Sequence, residues 1–268
     1  MRYVFLVLFL MLCAGAAYAS TQTEITLGHR SYILFKPTTP ASPAPLVVSY
    51  HPGLSFVSTG TTIGWNGSST ALNNTLNNEA EQHGFMVVYP EGRYRTALLE
   101  TWNVKDQTCC GYAKEIKTDD IEFVRRIIAD LSQNEDIDET RIYHTGYSNG
   151  SMLALAFGCM YPAHFDGFVG LAGPLILDAD ECTSFPSVPT RYMYGSSDDN
   201  VPPAGGVGGL SGYSYPTTQS TINFLSTASS NPLVYELTGC EHAFASAVSC
   251  LSSQYSLIYA SVIGDLAD

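Results

Sequence analysis

A serine between two glycines carries the clearest chemical signal in this chain of 268 residues. Residues 146–150 read Gly-Tyr-Ser-Asn-Gly, which fits the pattern Gly-x-Ser-x-Gly, and they lie between a short β-prone run and an apolar run suited to a buried helix. A sharp turn from strand to helix exposes the serine hydroxyl to a substrate, and small neighbours relieve the crowding of the turn. This context predicts that Ser148 is a nucleophile, and an ordinary Gly-Ser-Asn-Gly turn is the alternative interpretation.

A serine nucleophile needs a histidine base that accepts its proton and an acid that orients the base. Where this type of turn occurs in hydrolases, the acid and then the histidine follow the serine along the chain. Two histidines follow Ser148, namely His164 and His242. His164 precedes a predicted strand and is interpreted as a surface or packing residue. His242 follows the last predicted strand and is therefore predicted to be the base, the alternative being a histidine without a catalytic role.

Asp198 is the preferred candidate for the acid. Gly195 ends a predicted strand and the aspartate lies three residues further on, in the context Gly-x-x-Asp-x-x-Val-Pro. Its competitors are Asp178, Asp180 and Asp199. Of these, Asp199 is more typical of a turn residue.

Backbone N–H groups near the serine could hold the oxyanion of an ester intermediate. Asn149 stands at the start of the predicted helix, where N–H groups favour negative charge. The second donor is expected in the loop after the strand 46–50, which continues as His-Pro-Gly-Leu. Because Pro52 has no N–H group, Gly53 is the first candidate and Leu54 the second. The alternative is that this loop only caps a strand and makes a turn.

Short apolar runs alternate with segments of helical periodicity along most of the chain. After a hairpin at 24–27 and 32–35, the predicted strands are 46–50, 85–89, 142–145, 168–171, 190–194 and 233–237. Predicted helices lie at 71–82, at 121–131 with Asp119 and Asp120 as capping residues, after the serine turn, at 217–225 and at 252–266. This alternation predicts an α/β fold with a mostly parallel central sheet and helices on both faces. All candidate loops would then share the edge where the parallel strands end.

The amino end and the charge of the chain indicate an exported protein. Residues 1–19 resemble a secretory signal peptide, with Arg2 before an apolar core and Ala-Tyr-Ala before Ser20. Residues 20–268 are expected to form a single catalytic domain. The formal net charge of −13 argues against nucleic acid or an anionic membrane as a partner.

Six cysteines follow the predicted signal peptide, which allows up to three disulfides in an exported chain. Adjacent Cys109 and Cys110 are not expected to bond to each other, and at least one of them is expected to bond to another segment. Cys240 and Cys250 flank the candidate base, and a bond between them would staple its loop. Neither a Cys-x-x-Cys motif nor a close pair of histidines occurs, so no metal and no cofactor are expected.

Several further motifs make the chain resemble secreted esterases of the polyhydroxybutyrate depolymerase-like and feruloyl esterase group, carbohydrate esterase family 1. These motifs span roughly residues 46–245 and are Trp102-Asn103, Cys109-Cys110-Gly111, Asp119-Asp120-Ile-Glu-Phe123, the serine pentad, Gly195-Ser-Ser-Asp198 with Val201-Pro202, and Gly239-Cys-Glu-His242. The resemblance implies an α/β-hydrolase fold and a triad of Ser148, Asp198 and His242. It also implies an oxyanion hole built from Asn149 and the loop after His51. We predict in addition that Trp102 binds substrate.

The chain departs from the pattern of this family at two places. It has His51-Pro52 where the family usually has His-Gly, which affects the second oxyanion donor. Residues 239–244 read Gly-Cys-Glu-His-Ala-Phe, whereas family members commonly carry Gly-Gly-His-x-Trp-Pro. Because the tryptophan is missing, the choice of substrate stays open.

These observations predict an extracellular, monomeric serine esterase that hydrolyses a polymer-linked or aromatic ester. Within this class, a feruloyl or acetylxylan esterase competes with a depolymerase of a short-chain hydroxyalkanoate polyester. The substrate would accordingly belong to a plant cell-wall polysaccharide or to a polyester. The alternative from another class is a catalytically inactive carbohydrate-binding or adhesive protein on the same fold.

Overall fold

The computed structural model describes residues 19–53, 71–94, 100–104, 109–178 and 180–242, with the backbone alone described at 71–75. The strands in these ranges are β1 (Thr21–Leu27), β2 (Arg30–Lys36), β3 (Ala44–Tyr50), β4 (Met86–Pro90), β5 (Ile137–Tyr147), β6 (Gly167–Leu171), β7 (Pro189–Gly195), β8 (Gly206–Val207), β9 (Ser214–Tyr215) and β10 (Asn231–Leu237). The α-helices are α1 (Ala71–His83), α2 (Gly111–Glu115), α3 (Asp120–Asn134), α4 (Asn149–Met160) and α5 (Thr218–Ala228).

Eight of these strands form one sheet in the order β1-β2-β4-β3-β5-β6-β7-β10. β2 pairs antiparallel with β1 and with β4, whereas all other neighbours in the sheet are parallel. Every residue of β3 is buried, as expected for a parallel strand that is covered on both faces. The predicted hairpin and the mostly parallel central sheet are therefore confirmed.

Alternating side chains of the strands feed two separate hydrophobic layers. In β2, Tyr32 and Leu34 belong to one layer, and Ile33 and Phe35 belong to the other. The first layer contains the apolar faces of α3, α4 and α5, and the second contains buried residues of α1. Since successive side chains of a strand point to opposite faces of its sheet, helices cover both faces, as predicted.

The structure contains local elements that the sequence patterns did not indicate. β5 begins five residues before the predicted strand 142–145, and the short helix α2 was not predicted. β8 and β9 form a separate two-stranded hairpin that the sequence patterns also did not indicate; β8 lies in the glycine-rich stretch 205–212 and β9 directly after it. The predicted signal peptide, except for Ala19, and the predicted helix at 252–266 lie outside the described residues.

Of the two aspartates predicted to cap α3, the first behaves as a cap. The Asp119 side chain accepts a hydrogen bond from the backbone N–H of Glu122 at 2.9 Å. Asp120 is instead 1% exposed and forms an ion pair with Arg30, whose Nη1 lies 2.6 Å from the carboxylate. The capping interpretation of Asp120 is wrong because β2 brings a buried guanidinium against this end of the helix.

The disulfides differ in part from those expected. Cys159 at the end of α4 is bonded to Cys182, which lies in the segment between β6 and β7. The structure also pairs Cys109 with Cys110, whose Cα atoms lie 3.1 Å apart, so the expectation that at least one of them bonds to another segment is wrong. Cys240 is disulfide-bonded as well, but its predicted partner Cys250 lies outside the described residues and this pairing stays a prediction.

Within the same ranges, none of the helices combines the length and the apolar character that a membrane span requires.

Candidate active site

Ser148 lies on a tight turn between β5 and α4 and has a backbone conformation that is uncommon for a residue with a side chain, with φ 53° and ψ −123°. Glycines on either side make this turn possible. A Cβ atom at Gly146 would lie 2.6 Å from the carbonyl carbon of Gly150. A Cβ atom at Gly150 would lie 2.5 Å from the carbonyl oxygens of Tyr50 and His51. The structure therefore explains both glycines of the Gly-x-Ser-x-Gly pattern by close backbone contacts.

The three residues predicted as nucleophile, base and acid meet in one hydrogen-bonded series. Ser148 Oγ lies 2.9 Å from His242 Nε2, and His242 Nδ1 lies 2.6 Å from Asp198 Oδ2. The other carboxylate oxygen of Asp198 accepts hydrogen bonds from the backbone N–H groups of Asn200 at 3.0 Å and Val201 at 2.7 Å. Because the carboxylate can only accept, Nδ1 carries the imidazole hydrogen and Nε2 is left to accept the serine proton.

This series is largely buried, since Ser148, His242 and Asp198 are each less than 10% exposed. Tyr147, which precedes the serine, donates its hydroxyl hydrogen to the carbonyl oxygen of His242 at 2.5 Å. Burial, together with the negative charge of Asp198, raises the pKa of the Tyr147 hydroxyl, so this side chain keeps its proton. Tyr147 therefore holds the loop of the histidine, a role that the variable position of the pentad did not reveal.

The competing candidates make other contacts. His164 belongs to a 3-10 turn at Pro162–His164, and its carbonyl oxygen accepts a hydrogen bond from the ring of His144 at 2.8 Å. Asp199 is exposed, and its carbonyl oxygen accepts from the N–H of Gly209. Asp178 lies in the segment between β6 and β7, where its N–H donates to the carboxylate of Glu181.

A cavity of about 190 Å³ opens beside Ser148 and His242. One wall contains the Cys109–Cys110 disulfide and α2, and the other contains the hairpin of β8 and β9. The described lining residues other than Ser148 and His242 are Gly53, Thr101, Cys109, Cys110, Gly111, Lys114, Asn149, Asn200, Leu210, Ser211, Tyr213 and Tyr215. Lys114 is the only lysine, arginine or carboxylate residue among them, so the described part of the lining carries a single fixed charge.

The hairpin wall is tied to the loop of the acid. The backbone N–H of Leu210 donates to the side-chain oxygen of Asn200 at 2.7 Å, two residues after Asp198. At its other end, the Tyr215 hydroxyl lies 3.9 Å from the sulfur of Cys109, so the hairpin also contacts the disulfide. Sequence reasoning missed this wall, although a glycine-rich stretch with tyrosines directly after the candidate acid was a signal that could have found it.

Both predicted oxyanion donors line the cavity together with the serine. Gly53 and Asn149 are in contact, because a Cβ atom placed on Gly53 would lie 3.3 Å from the Cβ atom of Asn149. The second candidate in the loop, Leu54, lies outside the described residues. The structure therefore brings the two predicted donor residues, which belong to different segments, side by side at the cavity.

Trp102, predicted to bind substrate, is fully buried and does not line the cavity. Its backbone N–H donates to Asn149 Oδ1 at 2.7 Å, and its carbonyl oxygen accepts from Asn149 Nδ2 at 3.2 Å. The prediction of a substrate contact is wrong in this structure, because the indole packs behind the oxyanion segments rather than in front of them.

In the described part of the chain, no cluster of three His, Cys, Asp or Glu side chains could hold a metal ion.

Comparison with known proteins gives one family and several more distant relatives. The family described as Esterase PHB depolymerase matches residues 31–221. Feruloyl esterase B of Piromyces equi is 27% identical over 172 residues, which cover 61% of this chain and 28% of that protein. Poly(3-hydroxyalkanoate) depolymerase C of Paucimonas lemoignei is 27% identical over 221 residues, which cover 80% of this chain and 48% of that protein. The chain thus spans less than half the length of either relative.

Solved structures share the fold at low sequence identity. A CE1 ferulic acid esterase from Anaeromyces mucronatus superimposes with a TM-score of 0.58 and 16% identity, covering 86% of this chain and 87% of that one. An acetyl xylan esterase from Aspergillus awamori superimposes with a TM-score of 0.55 and 16% identity, covering 84% and 94%. These likenesses confirm the predicted α/β-hydrolase fold.

Proposed function

Because the chain belongs to the Esterase PHB depolymerase family, as the sequence resemblance indicated, we propose that it is a carboxylic ester hydrolase that uses Ser148 as its nucleophile. The observation that carries this proposal is the series of hydrogen bonds from Ser148 Oγ through His242 to Asp198, which ends at an open cavity. Serine, neutral imidazole and carboxylate in this order form the arrangement that activates a hydroxyl for acyl transfer.

The proposed reaction has two halves. Ser148 Oγ attacks the carbonyl carbon of the ester while His242 Nε2 takes the hydroxyl proton, and Asp198 stabilises the resulting imidazolium. The N–H groups of Asn149 and Gly53 stabilise the negative oxygen of the tetrahedral intermediate. His242 then gives the proton to the departing alcohol, and the acyl group stays bound to Ser148 as an ester. Water attacks this ester while His242 takes one of its protons. The resulting tetrahedral intermediate collapses, the carboxylic acid leaves, and His242 returns the proton to Ser148 Oγ.

For the substrate, we propose an ester linked to a polymer or to an aromatic acid. Two relatives support this class, one named a feruloyl esterase and the other a poly(3-hydroxyalkanoate) depolymerase. Tyr213 and Leu210 on the hairpin wall offer aromatic and aliphatic surface to either kind of acyl group.

We also propose that the protein is exported and acts outside the cell. The support is the apolar run with Arg2 at its start and Ala-Tyr-Ala at its end, together with the disulfide between Cys159 and Cys182. Disulfides of this kind persist in oxidising compartments. Expression in a secreting host, followed by sequencing of the amino terminus, tests this proposal. A mature chain that begins at Ser20 is expected, and a protein that still carries residues 1–19 would contradict it.

The hydrolase proposal is tested by kinetics on a panel of esters with wild-type protein and Ser148→Ala. The panel contains p-nitrophenyl acetate and butyrate, methyl ferulate, acetylated xylan and a hydroxybutyrate oligomer. Ser132→Ala is the matched control, because the Ser132 hydroxyl donates to the Ile128 carbonyl oxygen within α3 and Ser132 is not among the described lining residues of the cavity. We expect loss of all hydrolysis in Ser148→Ala and full activity in the control.

Labelling with an organophosphonate separates this proposal from an inactive binding protein on the same fold. Wild-type protein is expected to be labelled at Ser148 with one equivalent, and Ser148→Ala is not. A folded wild-type protein that neither hydrolyses any ester of the panel nor reacts with the phosphonate would refute the hydrolase proposal.

A further inference from the structure

A second histidine, His51, lies directly behind the loop that carries Gly53 but takes no part in the proposed proton transfer. Its side chain is 3% exposed. Burial, helped by the positive charge of Arg30, lowers the pKa of the imidazole to about 4. The ring is therefore neutral at physiological pH, so its two nitrogens play different parts: one donates a hydrogen and the other accepts one.

The surrounding groups determine which nitrogen of His51 carries the hydrogen. The backbone N–H of Gly92 points at Nε2 at 3.0 Å, so Nε2 is the acceptor. Nδ1 lies 2.7 Å from the carbonyl oxygen of Pro52, which can only accept. Glu100 Oε2 lies 3.3 Å from Nε2, and burial raises the pKa of this carboxyl to about 8, so it is protonated and needs no hydrogen from Nε2. His51 therefore donates from Nδ1 to Pro52.

This hydrogen bond acts on the next N–H group of the chain. The Pro52 carbonyl and the Gly53 N–H belong to one planar trans peptide group and point in opposite directions. The His51 ring is buried behind the loop, whereas Gly53 lines the cavity next to Asn149. Holding the carbonyl on the buried side consequently turns the N–H toward the cavity.

We propose that the His51 imidazole is a positioning residue that holds the Pro52 carbonyl and thereby aims the Gly53 N–H at the oxyanion of the ester intermediate. The inference rests on the proposed function, because it assigns a role within the same reaction. The proposal also explains how this loop can provide an oxyanion donor although proline follows the histidine. Pro52 has no N–H group, so Gly53 supplies the N–H, and the imidazole of His51 sets its direction.

Trp102 connects this donor with the second one. The indole Nε1–H donates to the carbonyl oxygen of His51 at 2.8 Å, and the two rings stack with centroids 4.4 Å apart. The backbone of the same tryptophan makes two hydrogen bonds with the Asn149 side chain. Both oxyanion segments are therefore bonded to one buried residue, which maintains the distance between them.

Two substitutions of His51 separate the proposed role from simple packing. The amide nitrogen of asparagine falls near the position of Nδ1, so His51→Asn keeps the donor to Pro52. Glutamine places its amide oxygen near the position of Nε2, so His51→Gln keeps an acceptor for the Gly92 N–H and loses the donor to Pro52. Loss of one oriented oxyanion donor costs on the order of 10² in kcat. We expect a fall of about 10² in kcat with little change in KM for His51→Gln, and a smaller fall for His51→Asn.

His144 provides the matched control. It is also a buried histidine with a partner on each nitrogen, the Tyr50 hydroxyl at 2.8 Å and the His164 carbonyl at 2.8 Å, but it packs within the first hydrophobic layer. His144→Gln is expected to lower the melting temperature about as much as His51→Gln while its folded fraction keeps the wild-type kcat. Equal kcat losses in His51→Asn and His51→Gln, or a His51→Gln protein with wild-type kcat, would overturn the proposal.

One measurement needs no variant and stays decisive even where a variant does not fold. Long-range ¹H–¹⁵N spectra of wild-type protein labelled with ¹⁵N-histidine report which ring nitrogen carries the hydrogen. We expect His51 to be protonated on Nδ1, and protonation on Nε2 would refute the proposal. Failure of the proposed function has a different signature, because wild-type protein would then hydrolyse no ester, whatever the state of His51.

Discussion

Replacing Glu100 by glutamine is expected to stabilise the protein, and increasingly so as the pH rises. Glu100 is only 2% exposed and lies beside the unprotonated nitrogen of His51. Burial, with a further contribution from the negative charge of Glu91, raises the pKa of its carboxyl from 4.5 to about 8. Glutamine has nearly the shape of the protonated side chain but cannot ionise, so the substitution removes the charge and keeps the packing.

The size of the effect follows from the two pKa values. The unfolded chain releases the Glu100 proton above pH 4.5, whereas the folded protein keeps it up to about pH 8. Between these values the folded state binds more protons, so the free energy of unfolding of the wild type falls as the pH rises. The slope is about 1.4 kcal/mol per pH unit, and the whole interval corresponds to about 5 kcal/mol. Above about pH 8 the difference from Glu100→Gln becomes constant.

The assay is urea unfolding of wild type and Glu100→Gln at several pH values between about 5 and 9. The difference between the two proteins is the quantity of interest, because it cancels the titration of distant groups that both share, such as His144, whose pKa burial lowers to about 3. Glu139→Gln, a substitution of an exposed glutamate, is the control and is expected to show no such trend. A stability difference that stays the same from pH 5 to 9 would refute the reasoning.

Three further predictions concern the turn, the cavity wall and a disulfide. Gly150→Ala places a Cβ atom 2.5 Å from backbone carbonyl oxygens at the end of β3, so a loss of at least about 2 kcal/mol is expected in thermal unfolding, and wild-type stability would contradict the tight contact. Lys114→Ala is expected to lower kcat/KM about fivefold for the anionic ester p-nitrophenyl hemisuccinate but not for the neutral butyrate, because it removes the only fixed charge of the described wall. Lys117→Ala, outside the wall, is the control. Equal effects of Lys114→Ala on both esters would refute this role of the charge. Replacing Cys159 and Cys182 together by serine is expected to lower the free energy of unfolding by about 3 kcal/mol in urea, since the bond closes a loop with a sequence separation of 23, and an unchanged midpoint would contradict this.

The sequence alone was sufficient to predict the central sheet and the meeting of Ser148, Asp198 and His242. Short apolar runs indicate the strands. The serine turn is indicated by its two glycines, which the close backbone contacts of the turn require. Because parallel strands run in the same direction, the three loops that follow them lie at one edge of the sheet. These inferences succeed because the constraints behind them act within a few residues of chain, or follow from the general geometry of parallel strands.

Only the tertiary structure decided what supports these residues. Trp102 is a bridge between Asn149 and His51 rather than a substrate contact, and Asp120 is a buried partner of Arg30 rather than a cap. Such roles depend on partners 40 to 90 residues away in the chain, brought together because β3 lies between β4 and β5 in the sheet. A side chain's type and its near neighbours do not reveal which buried donors and acceptors it will meet, since that depends on how distant segments pack.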